Sequence, residues 1–263
     1  MRRAKVLAAL LGLLAASTAA NGSECSATTG AQTNVLVELF TSEGCNSCPP
    51  ADRWLSALGR GTAGSAGVVP VAWHVDYWDY IGWKDRFAQA EFSARQRQLA
   101  GIRRDRLVYT PQVLVQGLDY RGWARGDFDA AVEPIRARPA RAQISLSLVG
   151  RSAAGLEVEV RARLVDAVAG ATPREYALVL AATASGFSTA VRAGENAGRR
   201  LEHDHVAFGW RGPIAFGQDG ELTLRERLAL PSSPGGGAGV VAFVQHMPTA
   251  RVLQALRMPV CPG

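Results

Sequence analysis

Apolar residues along this chain follow two different rhythms, and the change between them divides the sequence. Residues 35–40 (VLVELF) are a short apolar run broken only by Glu38, and residues 68–75 (VVPVAWHV) are another. Runs of this length, apolar on both faces, read as strands covered on both sides and parallel to each other. Between them, Trp54, Leu55 and Leu58 recur at helical spacing after Pro49-Pro50 and stop at Gly59. Proline suits a first helical turn because the N–H it lacks has no intrahelical partner there. Residues 61–67 then read as a flexible turn. An aromatic loop, DYWDYIGW (76–83), precedes a helix predicted from Lys84 to about Ala100, with Phe87, Phe92 and Leu99 inward. After a charged linker at 102–106 comes the strand YTPQVLVQG (109–117), then a short strand at 118–120. Asp127 caps a helix from Phe128 to about Arg138. The order is βαβ, an inserted helix, then ββα, which describes a four-stranded sheet flanked by helices.

Past Pro139-Ala140-Arg141 the period becomes two. Ile144, Leu146 and Leu148 alternate with serines, and Leu156, Val158 and Val160 alternate with charged residues. Further strand-like runs lie at 176–182, 203–208, 222–230 and 240–245. Short strands separated by Gly, Pro and Asn turns predict an antiparallel β-sandwich over 140–263, with 231–237 as a hairpin loop inside it.

The first twenty residues stand apart. Arg2, Arg3 and Lys5 precede an apolar stretch at 6–16, and small residues follow at 17–20. This is the pattern of an export signal, too short to span a bilayer. Residues 1–20 are accordingly set aside as a signal peptide and 21–33 as a flexible leader, and no other run is long and apolar enough to span. Export places the chain in a periplasm or outside the cell. The net charge of +6 is spread along the chain rather than gathered in a tract, so it gives no reason to expect nucleic acid as a partner.

Export also changes how the four cysteines are read. Cys45 and Cys48 as one pair leave Cys25 with Cys261, a structural disulfide stapling the two ends of the mature chain. The alternative is two free terminal thiols, unusual in an oxidising compartment. Zinc would need two further ligands at finger-like spacing, which are missing, and no metal site is expected.

The chemistry centres on Cys45-Asn46-Ser47-Cys48. A strand feeding Cys-x-x-Cys at a helix start places the first sulfur over backbone N–H groups and the positive end of the helix dipole. Thiolate is favoured there, so Cys45 is the expected attacking sulfur, and Cys48 the resolving one. Pro111 heads a strand although it cannot donate to a ladder, and a cis Thr110–Pro111 bond would account for it. His74 and Asp76 alternate at a strand end and can face the sulfurs as modulators, although a hydrogen-bonded core histidine is the plainer reading. Tyr77, Trp78, Tyr80 and Trp83 suit either an aromatic lip for unfolded segments or ordinary core. His203 and His205 share one strand face but lack a third metal ligand, and His246-Met247 is equally isolated.

VELFTSEGCNSCPPAD, HVDYWDYIGWKDRFA and YTPQVLVQG, in that order, resemble a family of bacterial secreted thioredoxin-like proteins catalogued as a domain of unknown function. GENAGRRLEHDHVAFGW (194–210) extends the likeness more loosely. The resemblance implies an α/β thioredoxin-like domain over 34–139, followed by the all-β sandwich-like domain. It also implies that Pro111 packs beside the disulfide and that Thr110 offers main-chain hydrogen bonds to an extended substrate. Glu38 resembles the buried acid that handles the resolving cysteine's proton in thioredoxins. A solvent-facing carboxylate or a buried ion pair is the other reading of Glu38. The function expected is thiol–disulfide exchange with protein or peptide thiols and disulfides, with no cofactor beyond the redox-active Cys45–Cys48 pair. A non-enzymatic binding module and a copper-handling thiol protein using the same cysteines and His74 are the alternatives.

Overall fold

Strands dominate this molecule because so many of its apolar runs need cover on two faces. The computed structural model describes residues 25–59, 67–166, 170–231 and 236–261. The signal segment 1–20, the start of the leader, most of the 61–67 turn and part of the 231–237 loop lie outside the described residues.

In chain order the elements are β1 (Ser26–Thr28), β2 (Val35–Thr41), α1 (Pro49–Leu58), β3 (Val68–His74), α2 (Ala90–Arg103), β4 (Gln112–Val115), β5 (Leu118–Asp119) and α3 (Phe128–Arg136). There follow β6 (Ala142–Ser152), β7 (Gly155–Leu164), β8 (Tyr176–Ala184), β9 (Phe187–Ala190) and β10 (Arg200–His203). The last are β11 (Val206–Ala215), β12 (Glu221–Leu228), β13 (Ala238–His246) and β14 (Val252–Pro259).

The expected α/β thioredoxin-like domain followed by a separate sandwich is not what forms. The strands build one eight-stranded mixed sheet in the order β14-β13-β8-β11-β3-β2-β4-β5, drawing on both sides of residue 139. β2 and β3 are parallel in register from Val35↔Val68 to Thr41↔His74. On the other edge of β3, β11 joins in parallel at Val206↔Ala72, with the Ala72 N–H donating to the His205 carbonyl at 2.9 Å. An open edge on β3 would leave a row of backbone groups unpaired. Periodicity identifies strands but carries no information about which distant strand fills such an edge, and here the filler lies more than 130 residues away.

The same sheet explains the burial. All nine residues of β8 are buried. Tyr176, Leu178 and Leu180 face a four-stranded antiparallel sheet, β1-β6-β7-β12, across a core that includes Ile144, Leu146, Val158 and Val160. The alternate residues Val179 and Ala181 join Leu36, Phe40, Trp73 and Phe92 beneath α2. On β2 the odd positions Val35, Val37 and Leu39 instead meet Leu55 of α1 and Phe128 and Val132 of α3. β1, within the segment read as leader, pairs with β6 from Ser26↔Ser147 to Thr28↔Ser145. Cys25 and Cys261 form a disulfide that joins β1 to the end of β14.

Two local readings shift. α2 begins at Ala90 rather than Lys84, because the Asp85 carboxylate accepts the Phe87 N–H and holds the preceding residues as a turn. His203 and His205 do not share a strand: β10 ends at His203, and His205 takes a left-handed conformation (φ 58°) before β11. Among the described residues no helix is long and apolar enough to cross a membrane.

Candidate functional site

β2 delivers the chain into the loop 42–48, and α1 takes it away. Cys45 and Cys48 form a disulfide, their Cα atoms 5.4 Å apart, with Cys48 at the N-cap of α1. Both cysteines are fully buried, so the sulfur expected to be reachable is closed off from solvent in this conformation.

The helix start also differs from the simple expectation. Pro49 and Pro50 have no N–H to offer, and the next two, of Ala51 and Asp52, donate to the Cys48 carbonyl at 2.9 and 3.1 Å. The dipole of α1 remains, but its first N–H groups are absent or taken. Ser47 supplies a donor instead: its Oγ lies 3.3 Å from Cys45 Sγ, and a disulfide sulfur, having no proton, can only accept.

Thr110–Pro111 is cis. It leads into β4, whose Gln112 pairs with Phe40 at the end of β2 nearest the cysteine loop. Trp78 spans the gap. Its Nε1 donates to Thr110 Oγ1 at 2.8 Å, and its Cβ lies 3.0 Å from the position a Cβ on Gly44 would take. The other aromatic residues of that loop divide: Tyr77 donates to Gln96 Oε1, Trp83 to Glu43 Oε2, and Tyr80 is 82% exposed.

Glu38 lies on the face of β2 turned away from α1. Its Oε1 accepts from Arg95 Nη2 at 2.6 Å, Arg95 Nε at 3.0 Å and Trp73 Nε1 at 3.0 Å, all buried. It is a buried ion pair, separated from the cysteine loop's helix by the sheet. His74 and Asp76 are not brought together either. Asp76 accepts the Ser93 hydroxyl at 2.5 Å on the α2 side. His74 Nδ1 lies 2.7 Å from Asp85 Oδ2.

Around His74 is a buried polar cluster that the sequence reading missed. Asp52, one helical turn after Cys48, is buried beneath it. Burial raises the Asp52 pKa, only partly offset by nearby His203 and His74 and a hydrogen bond to Thr41. Burial opposes charge on His74, but the Asp85 carboxylate outweighs it and raises the His74 pKa. Burial likewise works against charge on Asp85, yet His74 and the N–H groups of Glu43 and Phe87 bring its pKa below the ordinary value. Glu43, two residues before Cys45, meets His203 Nε2 at 3.2 Å, and the His74 and His203 ring centres are 5.0 Å apart. The visible signal for Asp52 was its spacing of four from Cys48. No such signal marked Glu43 or His203, whose partners lie in distant segments. His205 packs against Gly59 at the end of α1, and His246 Nδ1 lies 2.8 Å from Thr249 Oγ1. Among the described residues no three His, Cys, Asp or Glu side chains converge as a metal-binding set.

The family profile described as "Protein of unknown function (DUF1223)" matches residues 36–245. The chain belongs to this family. The match takes in the cysteine loop, Thr110–Pro111 and the His203 segment alike, so the whole site falls within the DUF1223 region. Among solved structures, the DUF1223 chain is similar to protein AGR_C_4864 from Agrobacterium tumefaciens, at 25% identity and a TM-score of 0.62, over 88% of this chain and 96% of that one. It shares its fold with HBP35 of Porphyromonas gingivalis, at 16% identity and a TM-score of 0.63, over 87% and 75% of the two chains. No curated protein matches the chain.

Proposed function

We propose that this protein is an exported thiol–disulfide oxidoreductase that exchanges disulfides with protein or peptide substrates. The observation that carries the reading is Cys45–Cys48, a disulfide closed across the start of α1 with a protonatable buried carboxyl, Asp52, one turn below Cys48. In the oxidised form, a substrate thiolate attacks Cys45 Sγ. The Cys45–Cys48 bond breaks, and Cys48 leaves as thiolate and takes a proton. A second substrate thiolate then attacks the substrate sulfur of the mixed disulfide, releasing Cys45 and completing a substrate disulfide. Two electrons pass to the cysteine pair, and no other cofactor takes part. Burial raises the pKa of Asp52, one helical turn after Cys48, and this carboxyl is the proposed source of the proton that a newly formed Cys48 thiolate takes up. Two disulfides joining all four cysteines fit an oxidising compartment and support export.

The full burial of both sulfurs favours a second reading, in which the pair is a structural bridge in a non-enzymatic binding module. A Cys48→Ser variant separates the two. Expressed in an exporting host, it accumulates mixed disulfides on Cys45 if exchange is its function. A folded variant carrying no captured partner, with Cys45 inert to alkylation, supports the binding module instead.

A further inference from the structure

The loop that carries the buried disulfide is bound by a segment from far along the chain. Asn196, fully buried, donates from Nδ2 to the carbonyls of Glu43 and Cys45, each at 2.9 Å. Its Oδ1 accepts from Arg199 Nη1 at 3.1 Å, which fixes the amide's orientation. Next to it, Glu195 Oε2 accepts the Asn46 N–H at 3.1 Å. Residues 195–196 thus engage two carbonyls and one N–H of the short stretch 43–46. Gly194 packs against Ile81, which also lies against Gly44.

The segment 191–199 pairs several of its own backbone groups internally. Val191 and Arg199 are joined by an N–H to carbonyl bond at 2.9 Å, Gly198 donates back to Val191, and Ala197 donates to Gly194. The strands on either side, β9 and β10, pair with each other as a two-stranded ribbon outside both large sheets, from Arg200↔Ala190 to His203↔Phe187. Its ties to the cysteine loop are side-chain bonds, so it can lift without breaking either large sheet, the kind of local opening that requires far less than global unfolding.

We infer that residues 191–199 are a gate on the Cys45–Cys48 disulfide, with Asn196 as its latch. Closed, the gate keeps thiols from the sulfurs; open, it exposes Cys45 Sγ to a thiolate, whose approach is a condition of exchange. Its purpose rests on the oxidoreductase reading, but its existence does not. A passive brace would make the same hydrogen bonds, and the disulfide would then be reduced only when the whole protein unfolds.

The molecule carries its own control, because Cys261 is exposed and the Cys25–Cys261 bond lies outside the gate. Under native conditions, dithiothreitol reduction of each disulfide is followed by alkylation and mass mapping in the wild type, Asn196→Ala and Glu195→Ala, with urea denaturation for global stability. In Asn196→Ala, which loses two buried hydrogen bonds, Cys45–Cys48 should be reduced about tenfold faster or more, with Cys25–Cys261 unchanged. Glu195→Ala, altered only on the exposed side, should give a smaller acceleration of the same bond. Equal Cys45–Cys48 rates in all three proteins overturn the gate, as does an acceleration shared by both disulfides in step with lost global stability. A faster-reducing Asn196→Ala alongside a Cys48→Ser variant that captures nothing keeps the gate and removes the oxidoreductase reading. Captured partners with unaltered reduction rates do the opposite.

Discussion

His74 Nδ1 and Asp85 Oδ2 stand 2.7 Å apart with neither side chain touching solvent. The same carboxylate oxygen accepts the Glu43 N–H at 2.9 Å, so the pair also holds the loop that leads to Cys45. The signs of its contribution to stability are set by two shifts in opposite directions. The His74 pKa is raised in the folded protein, so its contribution is full below about 6.5, the ordinary imidazole value, and is lost as pH rises through the higher folded value. The Asp85 pKa is lowered, so its contribution is present above about 3.9 and is lost as pH falls through the lower folded value. Stability from the pair should therefore be greatest between about pH 4 and 6.5. Asp85→Asn should cost about 3–5 kcal/mol in that window and less at alkaline pH. Urea denaturation of both proteins from pH 4 to 9 tests this, and a difference independent of pH would show that the two groups do not titrate as a pair.

Asp52 has the opposite sign. Its folded pKa lies above its unfolded one, so ionisation works against the fold. At low pH both states are protonated and the group contributes nothing. As pH rises past about 3.9 the unfolded chain ionises first and stability falls until the folded carboxyl has also lost its proton. Asp52→Asn should accordingly be as stable as the wild type in acid and more stable near neutrality. If Asp52 supplies the proton for Cys48, the same variant should exchange disulfides about 100-fold more slowly. A variant more stable yet equally fast would separate Asp52 from the chemistry.

Glu38 and Arg95 bind each other on the α2 side of the sheet, with the Arg95 guanidinium also 5.1 Å from the Phe243 ring centre. Glu38→Ala should leave a buried guanidinium without its carboxylate and cost about 3–5 kcal/mol. The double variant Glu38→Leu/Arg95→Met, which removes both charges, should recover most of that loss. Neither should change the reactivity of Cys45 once the protein is folded, because the pair lies across the sheet from α1. A specific slowing of exchange in the stable double variant would put Glu38 back in the chemistry.

The contrast between Asp52 and Glu38 shows what was legible and what was not. Both are acids near the cysteines in sequence, and the face each occupies decides its role. Glu38 falls at an even position of β2, with Leu36 and Phe40, opposite the face that meets α1. Asp52 falls one helical turn after Cys48, a relation visible in the spacing alone. The helix from Pro49, its end at Gly59 and the cis Thr110–Pro111 bond were equally local, and each appears in the fold. The β3–β11 pairing and the contact of Asn196 with Cys45 were not local. Each joins segments more than 130 residues apart, the first through backbone groups on both strands and the second through a side-chain amide on backbone carbonyls. Every residue carries such backbone groups, so nothing in the residue types of β3 or the cysteine loop announced the partner. The left-handed turn at His205, which parts it from His203, left no mark in the alternation either.

The Cys25–Cys261 bond closes nearly the whole described chain, with a sequence separation of 236. Such a bond acts mainly by limiting the freedom of the unfolded chain, and for a loop of this length that effect is about 5 kcal/mol. Both partners lie at strand ends: Cys25 precedes β1 and Cys261 follows β14. Those strands have contacts of their own, since Met258 lies in the core between the two large sheets and Ala27 packs against it. The double variant Cys25→Ser/Cys261→Ser should thus keep its fold and lose several kcal/mol in urea denaturation, chiefly through the unfolded state. Its Cys45–Cys48 pair should keep the wild-type rate of reduction by dithiothreitol as long as global unfolding remains rare. A large rise in that rate, with stability still high, would mean that the terminal staple helps to hold the cysteine loop closed.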